Sequence, residues 1–230
     1  MYHFFVEPHQ IGAEEIRIEG ADVNHIRNVL RMKPGEEILI SSREGGDYFC
    51  RVEELEPEYV SAKILEEWEN KELPARIHLF QGLPKGDKME LIIQKAVELG
   101  AYRVVPVSMK RSVVKLDAKK ADAKRKRWNA VSESAAKQSK RSLIPEVAPL
   151  MTYKEAVKEA AGYDMVLLPY ESADGIRKTR ELLASVKPGT DIAVFIGPEG
   201  GFEDEEVELA RENITMICVT HEMGFARQVA

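Results

Sequence analysis

The pattern of apolar and polar residues changes character near residue 70. Up to that point, the chain contains short strand-like runs, and in several of them apolar and polar residues alternate. The runs are separated by turn pairs such as Pro34-Gly35. This pattern predicts a small β-barrel with strands at residues 2–6, 15–18, 37–40, 48–53 and 59–65. One helix is predicted among them, capped by Asp22, with Ile26, Val29 and Leu30 on its apolar face.

Beyond residue 75, predicted strands alternate with predicted helices. The strands are at residues 77–83, 104–107, 165–170, 191–196 and 215–219, and the helices at 87–99, 117–139, 152–161, 174–186 and 203–213. Such alternation predicts an α/β fold with a mostly parallel sheet covered by helices on both faces. A polar segment at residues 66–74 separates the two patterns, so we predict domains at residues 1–70 and 75–230.

A glycine-rich turn, GPEGG at residues 197–201, follows the predicted strand at 191–196. Glycines allow the backbone to approach a ligand closely, and open α/β sheets bind small molecules at the carboxyl ends of their strands. The acidic residues at 199 and 203–206 would repel a phosphate, and neither a P-loop nor a G-x-G-x-x-G motif occurs. A neutral or cationic nucleoside therefore fits better, and an ordinary strand-to-helix turn is the alternative.

Charge is distributed unevenly along this chain of 230 residues, whose net charge is −6. Between Lys110 and Arg141 there are twelve Lys and Arg residues and three acidic ones. This concentration is typical of a surface that meets a polyanion such as nucleic acid, and a solvated lysine-rich helix is the alternative. The two cysteines of the chain make neither a disulfide framework nor a metal site. The sequence shows no evident leader or membrane span. We therefore expect a cytoplasmic protein.

Six colinear segments resemble the bacterial 16S ribosomal RNA (uracil-N3)-methyltransferases of the SPOUT class, the ribosomal RNA small subunit methyltransferase E family. The segments lie at residues 3–8, 25–38, 81–101, 111–115, 124–147 and 195–210. The resemblance implies a PUA-like RNA-binding barrel followed by an α/β domain with a trefoil knot that holds S-adenosylmethionine. It also implies a homodimer that methylates N3 of one uridine in 16S ribosomal RNA of the small ribosomal subunit, without a metal.

The resemblance also implies roles for individual residues. The catalytic candidates are Arg111 and Arg141, since positive charge near the uracil oxygens favours the deprotonated imide. The cofactor candidates are Leu168, Gly197, Pro198, Glu199 and Gly200. The RNA-binding candidates are Arg27, Arg31, Lys85, Lys88, Lys124, Arg125, Arg127 and Gln138. For each lysine or arginine, a solvated surface position is the alternative.

The resemblance ends near Asn213. The family continues with a strand, a knot loop and a long helix, whereas residues 214–230 resemble the stretch after the Walker B motif in ATP-binding subunits of amino-acid ABC transporters. Because the chain has no P-loop lysine, an ATPase function is excluded. We therefore predict an atypical segment at residues 214–230 and an incomplete trefoil knot. The alternative function is that of a non-catalytic RNA-binding protein.

Overall fold

The computed structural model describes residues 1–42, 46–69, 72–169, 183–213 and 216–218. The chain divides into two units by its internal contacts. The first unit contains Met1–Glu72 and Glu133–Ile144, and the second unit contains Leu73–Ser132 and Pro145–Ala230. A segment from the middle of the sequence therefore belongs to the first unit. Domain borders at residues 70 and 75 stay a prediction.

The first unit is built on a five-stranded sheet with the strand order β1-β3-β4-β5-β2. The strands are β1 (Tyr2–Val6), β2 (Glu15–Glu19), β3 (Glu37–Ser42), β4 (Asp47–Leu55) and β5 (Tyr59–Trp68). Strands β1 and β3 are parallel, and the other neighbours are antiparallel. Period-two alternation is clearest in β2, which buries Ile16 and Ile18 and exposes the residues between them.

The helical segment of the first unit differs from the prediction. A short helix α1 (Ala21–Asn24) continues directly into a π-helical turn (His25–Val29), in which the amide of Leu30 donates to the carbonyl of His25 at 2.9 Å. The wider turn changes which residues share a face. Val29 is consequently 63% exposed, so its predicted place in the core is wrong. The N-cap position is occupied by Gly20 rather than by Asp22, which lies in the first turn.

The second unit contains a parallel sheet of seven strands, as the βα alternation predicts. Its strands are β6 (Arg76–Gly82), β7 (Arg103–Ser108), β8 (Glu146–Val147), β9 (Met151–Thr152), β10 (Met165–Leu168), β11 (Asp191–Ile196) and β12 (Met216–Cys218). The main order is β12-β10-β11-β6-β7-β8, with β9 also paired to β7, and each of these pairs is parallel. The two-residue strands β8 and β9 are too short to be predicted from periodicity.

Four helices are described after residue 75: α2 (Lys88–Glu98), α3 (Ala118–Ser139), α4 (Tyr153–Ala160) and α5 (Asp204–Asn213). The core between helices and sheet includes Phe80 and Phe195, whose rings stack at 4.6 Å. Among the described residues, no helix has both the length and the apolar character needed to cross a bilayer. Most of the helix predicted at 174–186 lies outside the described residues, as do residues 214–215 and 219–230 with the predicted incomplete knot.

Candidate functional site

An open cleft of about 580 Å³ lies where the parallel strands of the second unit end. Residues 197–201, called here the glycine loop, follow β11 and form much of its wall, together with Arg111, Pro169 and Asp204. Pro169 directly follows β10, so the cleft lies at the carboxyl ends of two neighbouring strands. This is the edge at which open α/β sheets bind ligands. The predicted cofactor residue Leu168 directly precedes Pro169 and is fully buried.

Close packing at two positions and a left-handed backbone at a third favour glycine around the loop. A Cβ atom on Gly197 would lie 3.1 Å from the carbonyl carbon of Gly201, whose own φ is +72°. A Cβ atom on Gly82, at the end of β6, would lie 2.7 Å from Cδ of Pro198. The loop therefore folds back on itself and rests on the end of β6. The sequence did not single out Gly82, although it lies within a segment that carries the family resemblance.

Arg111 holds the glycine loop from one side. Its Nε donates to Glu203 Oε1 at 2.8 Å, and its NH1 donates to the carbonyl oxygen of Gly200 at 2.7 Å. The aliphatic stem of Arg111 crosses Gly200 so closely that a Cβ there would lie 3.2 Å from Cβ of Arg111. The hydrogen bond to Glu203 raises the pKa of the guanidinium. Arg111 thus lines the cleft, holds the loop at Gly200 and binds Glu203 just beyond the loop.

The acidic start of α5 binds the turn that carries Arg111. The carboxylate of Glu206 is buried and accepts hydrogen bonds from the backbone amides of Lys110 and Glu203, both at 2.9 Å. Glu205 forms an ion pair with the ammonium group of Lys110, which raises the pKa of that lysine. From sequence, these acids were expected only to disfavour phosphate. In the structure they also position residues 110 and 111.

Glu199 anchors the glycine loop from its other side. Its Oε1 accepts a hydrogen bond from Nζ of Lys88 at 2.7 Å, and both carboxylate oxygens lie 3.2 Å from the amide nitrogen of Lys85. The structure therefore brings together a predicted cofactor residue and two predicted RNA-binding residues. The hydrogen bond from Lys88, helped by the backbone amides, lowers the pKa of Glu199 to about 2. The carboxylate is charged throughout the physiological pH range.

We expect acid to weaken this anchor. Since the pKa of Glu199 is about 2 in the folded protein and 4.5 without these contacts, its contribution to stability is complete above pH 4.5 and is lost as the pH falls toward 2. Melting temperatures at pH 6 and pH 3 should therefore differ less in Glu199→Gln than in the unsubstituted protein. Glu212→Gln, which removes an exposed carboxylate unpaired among the described residues, is the control. Identical pH profiles for all three proteins would show that the anchor contributes nothing.

The structure places the two predicted catalytic arginines in different units. Arg141 belongs to the first unit, where its guanidinium is buried against Glu72, with Nε 2.8 Å from Oε1 and Oε2 of that carboxylate. Three RNA-binding candidates also lie in the first unit: Arg27, Arg31 and Gln138. Arg31 follows the π-helical turn with a left-handed φ of 53°. A catalytic role for Arg141 and RNA contacts for the others stay predictions.

Helix α3 places three further RNA-binding candidates in ion pairs within the second unit. Lys124 Nζ lies 3.5 Å from Asp87 Oδ1. NH2 of Arg125 donates to Glu146 Oε1 at 2.8 Å, and NH2 of Arg127 donates to Glu90 Oε2 at 2.9 Å. These contacts tie this part of the helix to neighbouring segments of the second unit. An RNA contact by any of the three stays a prediction.

Two protein-family models match the chain. A model described as an RNA methyltransferase domain covers residues 71–221, and a model described as an RNA methyltransferase PUA domain covers residues 18–65. The first match includes the glycine loop and the cleft. Fold and site therefore define an RNA methyltransferase with an N-terminal PUA domain, and the predicted α/β fold class is confirmed.

Individual relatives identify the family more closely. The ribosomal RNA small subunit methyltransferase E of Bacillus subtilis (strain 168) is 36% identical over 226 residues, covering 95% of this chain and 88% of the relative. The protein of the same name from Synechocystis is 30% identical over 210 residues, covering 91% of this chain and 67% of the relative. The chain belongs to the ribosomal RNA small subunit methyltransferase E family.

Solved structures show the same similarity. A ribosomal RNA small subunit methyltransferase E from Neisseria gonorrhoeae, bound to S-adenosylmethionine, has a TM-score of 0.75 and 30% identity, covering 96% of this chain and 89% of that one. A methyltransferase from Legionella pneumophila, also in complex with S-adenosylmethionine, has a TM-score of 0.77 and 27% identity, with the same coverage of both chains.

The comparisons do not support the predicted change of character near Asn213. The RNA methyltransferase match continues to residue 221, beyond that position. Strand β12 also joins the sheet in parallel with β10, as a regular part of the second unit. Neither a transporter-derived segment nor an incomplete knot is supported by these observations.

Proposed function

We propose that the chain transfers the methyl group of S-adenosylmethionine to N3 of one uridine in 16S ribosomal RNA. The observation that carries the proposal is the glycine loop, which follows β11 and lines a cleft at the carboxyl edge of the parallel sheet. A relative that is 30% identical was solved with S-adenosylmethionine bound. The names of the relatives in Bacillus subtilis and Synechocystis support ribosomal RNA as the substrate.

The chemistry of the cleft suits a cationic nucleoside. Residues 197–201 form much of its wall, and the acidic residues Glu199 and Asp204 also line it. Negative side chains favour a positive ligand and disfavour a phosphate. S-adenosylmethionine, when bound, supplies a methyl group on a positively charged sulfur. The loop backbone would hold its adenosine part, and the carboxylates would favour its cationic part.

Uracil presents a particular problem for a methyltransferase, because N3 lies on the Watson–Crick edge. The base has to be unpaired or flipped before N3 can reach a methyl donor in the cleft. N3 also carries an imide proton, and a cation beside the uracil oxygens would stabilise the anion that remains when this proton is lost. Arg111 lines the cleft and is 43% exposed, so it can serve as that cation while it holds the loop.

We also propose that the protein is a cytoplasmic homodimer that acts on the small ribosomal subunit or its RNA. Relatives named as small subunit methyltransferases support the small ribosomal subunit or its RNA as the partner. A homodimer in the cytoplasm follows from the family resemblance of the sequence. Light scattering after gel filtration measures the assembly state directly, and a mass twice that of the 25.9 kDa chain is expected.

Methyl transfer can be tested with purified protein. We expect incubation with radiolabelled S-adenosylmethionine and unmodified small ribosomal subunits to label 16S RNA, and digestion to nucleosides to recover the label as 3-methyluridine. Label in a different nucleoside would contradict the position of methylation. RNA binding without any cofactor binding in a calorimetric titration would instead support a non-catalytic RNA-binding protein.

A further inference from the structure

The ion pairs of helix α3 divide its basic residues into two groups. Lys124, Arg125 and Arg127 each contact a carboxylate of the second unit. Lys119 and Lys126, in contrast, form no hydrogen bond or ion pair through their side chains within the part of the chain that the structure describes. A count of charges along the sequence cannot make this distinction, because all five residues belong to one basic run.

The two unpaired lysines lie on one side of the helix. They are seven residues apart, which corresponds to almost two turns and about 10 Å along the helix axis. Both are exposed, whereas Trp128, two positions after Lys126 and hence about 200° around the helix, is 4% exposed. The part of the helix that belongs to the second unit therefore turns its paired and buried residues toward that unit and presents Lys119 and Lys126 to solvent.

We propose that Lys119 and Lys126 form a phosphate-binding ridge that contacts the sugar–phosphate backbone of the ribosomal RNA. The inference rests on the proposed function, since RNA is the polyanion that it requires. Lysines whose side chains have no hydrogen-bond or ion-pair partner among the described residues remain available to neutralise phosphates, and release of counterions from the RNA then favours binding. Phosphate contacts of this kind position a nucleic acid without reading its sequence.

Two other charged groups lie close to the ridge along the helix. Asp122 lies three residues after Lys119 and four before Lys126, is exposed and has no ion pair among the described residues. Lys120 is paired with Asp117, at 3.3 Å between Nζ and Oδ2. The ridge therefore carries one unneutralised negative charge, which opposes the approach of a phosphate.

The ridge can be tested by removing equal charge from three places. We expect Lys119→Ala/Lys126→Ala to weaken binding of 16S ribosomal RNA on the order of tenfold at about 150 mM salt, with the slope of log K against log salt shallower by about 1.5. Lys154→Ala/Lys158→Ala removes two exposed lysines that are unpaired among the described residues of α4, and should leave affinity within about twofold. Arg125→Ala/Arg127→Ala should chiefly lower the melting temperature, because it breaks two ion pairs.

The outcomes distinguish a failure of the phosphate-binding ridge from a failure of the proposed function. If the unsubstituted protein does not bind 16S RNA, the proposed function fails; if it binds and the Lys119/Lys126 variant binds equally well, the ridge alone is wrong. Equal losses from the ridge variant and the α4 control would also overturn it, since net charge would then explain both. Asp122→Asn should strengthen RNA binding about threefold without a change in melting temperature, and weaker binding would contradict the ridge.

Discussion

Arg111→Ala is expected to lower methyl transfer on the order of 100-fold and to weaken binding of S-adenosylmethionine at least tenfold, since small displacements of a binding loop have effects of this size. The substitution removes the hydrogen bonds to Glu203 and to the carbonyl of Gly200, at 2.8 and 2.7 Å. It also removes the aliphatic stem that packs against Gly200. Calorimetric titration and a methyl-transfer assay measure the two effects separately.

Arg111→Lys is the matched variant. It keeps the positive charge, but lysine has no planar guanidinium that could contact Glu203 and the carbonyl of Gly200 at the same time. We expect its cofactor affinity to lie between those of the unsubstituted protein and Arg111→Ala. If Arg111→Ala bound S-adenosylmethionine normally and lost only methyl transfer, the arginine would act on the uracil alone and the loop would not depend on it. Normal binding together with normal transfer would contradict both roles.

Arg141→Ala is expected to lower the free energy of unfolding of the first unit by about 3 kcal/mol. The guanidinium and its partner Glu72 are almost completely buried, with side chains that are 9% and 13% exposed. Removing the arginine leaves a buried carboxylate that keeps the hydrogen bond from the amide of Ser142, at 2.8 Å, but loses its opposite charge. Urea denaturation followed by a probe in the first unit measures the change.

Arg211→Ala is the control for this prediction. Arg211 pairs with Glu208 across one turn of α5, but both side chains are about half exposed or more, so the expected loss is below about 0.5 kcal/mol. The sequence assigns Arg141 a catalytic role through the family resemblance. An Arg141→Ala protein with unchanged stability and greatly reduced methyl transfer would favour that role over the structural one described here.

Local patterns explain which parts of the fold could be predicted. Period-two alternation indicated β2 because one of its faces is buried. The βα alternation indicated the parallel sheet because successive parallel strands need a crossover connection, usually a helix. The glycine loop was recognisable because strand β11 stops abruptly at Gly197. A π-helical turn has no such signature, and Val29 was therefore expected in the core although it is exposed.

Contacts between distant parts of the chain explain what could not be predicted. The partner of Arg141 is Glu72, and that of Arg111 is Glu203, 92 positions further along the chain. Sequence composition shows only that acidic and basic residues are abundant, so it cannot tell a paired arginine from a free one. The basic run of α3 consequently looked uniform, although the structure pairs Arg125 and leaves Lys126 without a carboxylate among the described residues.

Titration with S-adenosylmethionine tests most directly whether the glycine loop is the cofactor site. The unsubstituted protein should bind the cofactor with micromolar affinity. Gly197→Val should bind at least tenfold more weakly, because the added side chain would collide with the backbone of Gly201, from which even a Cβ lies only 3.1 Å. Circular dichroism would verify that the variant remains folded. An absence of binding to the unsubstituted protein, or equal binding by a folded Gly197→Val variant, would contradict this assignment of the site.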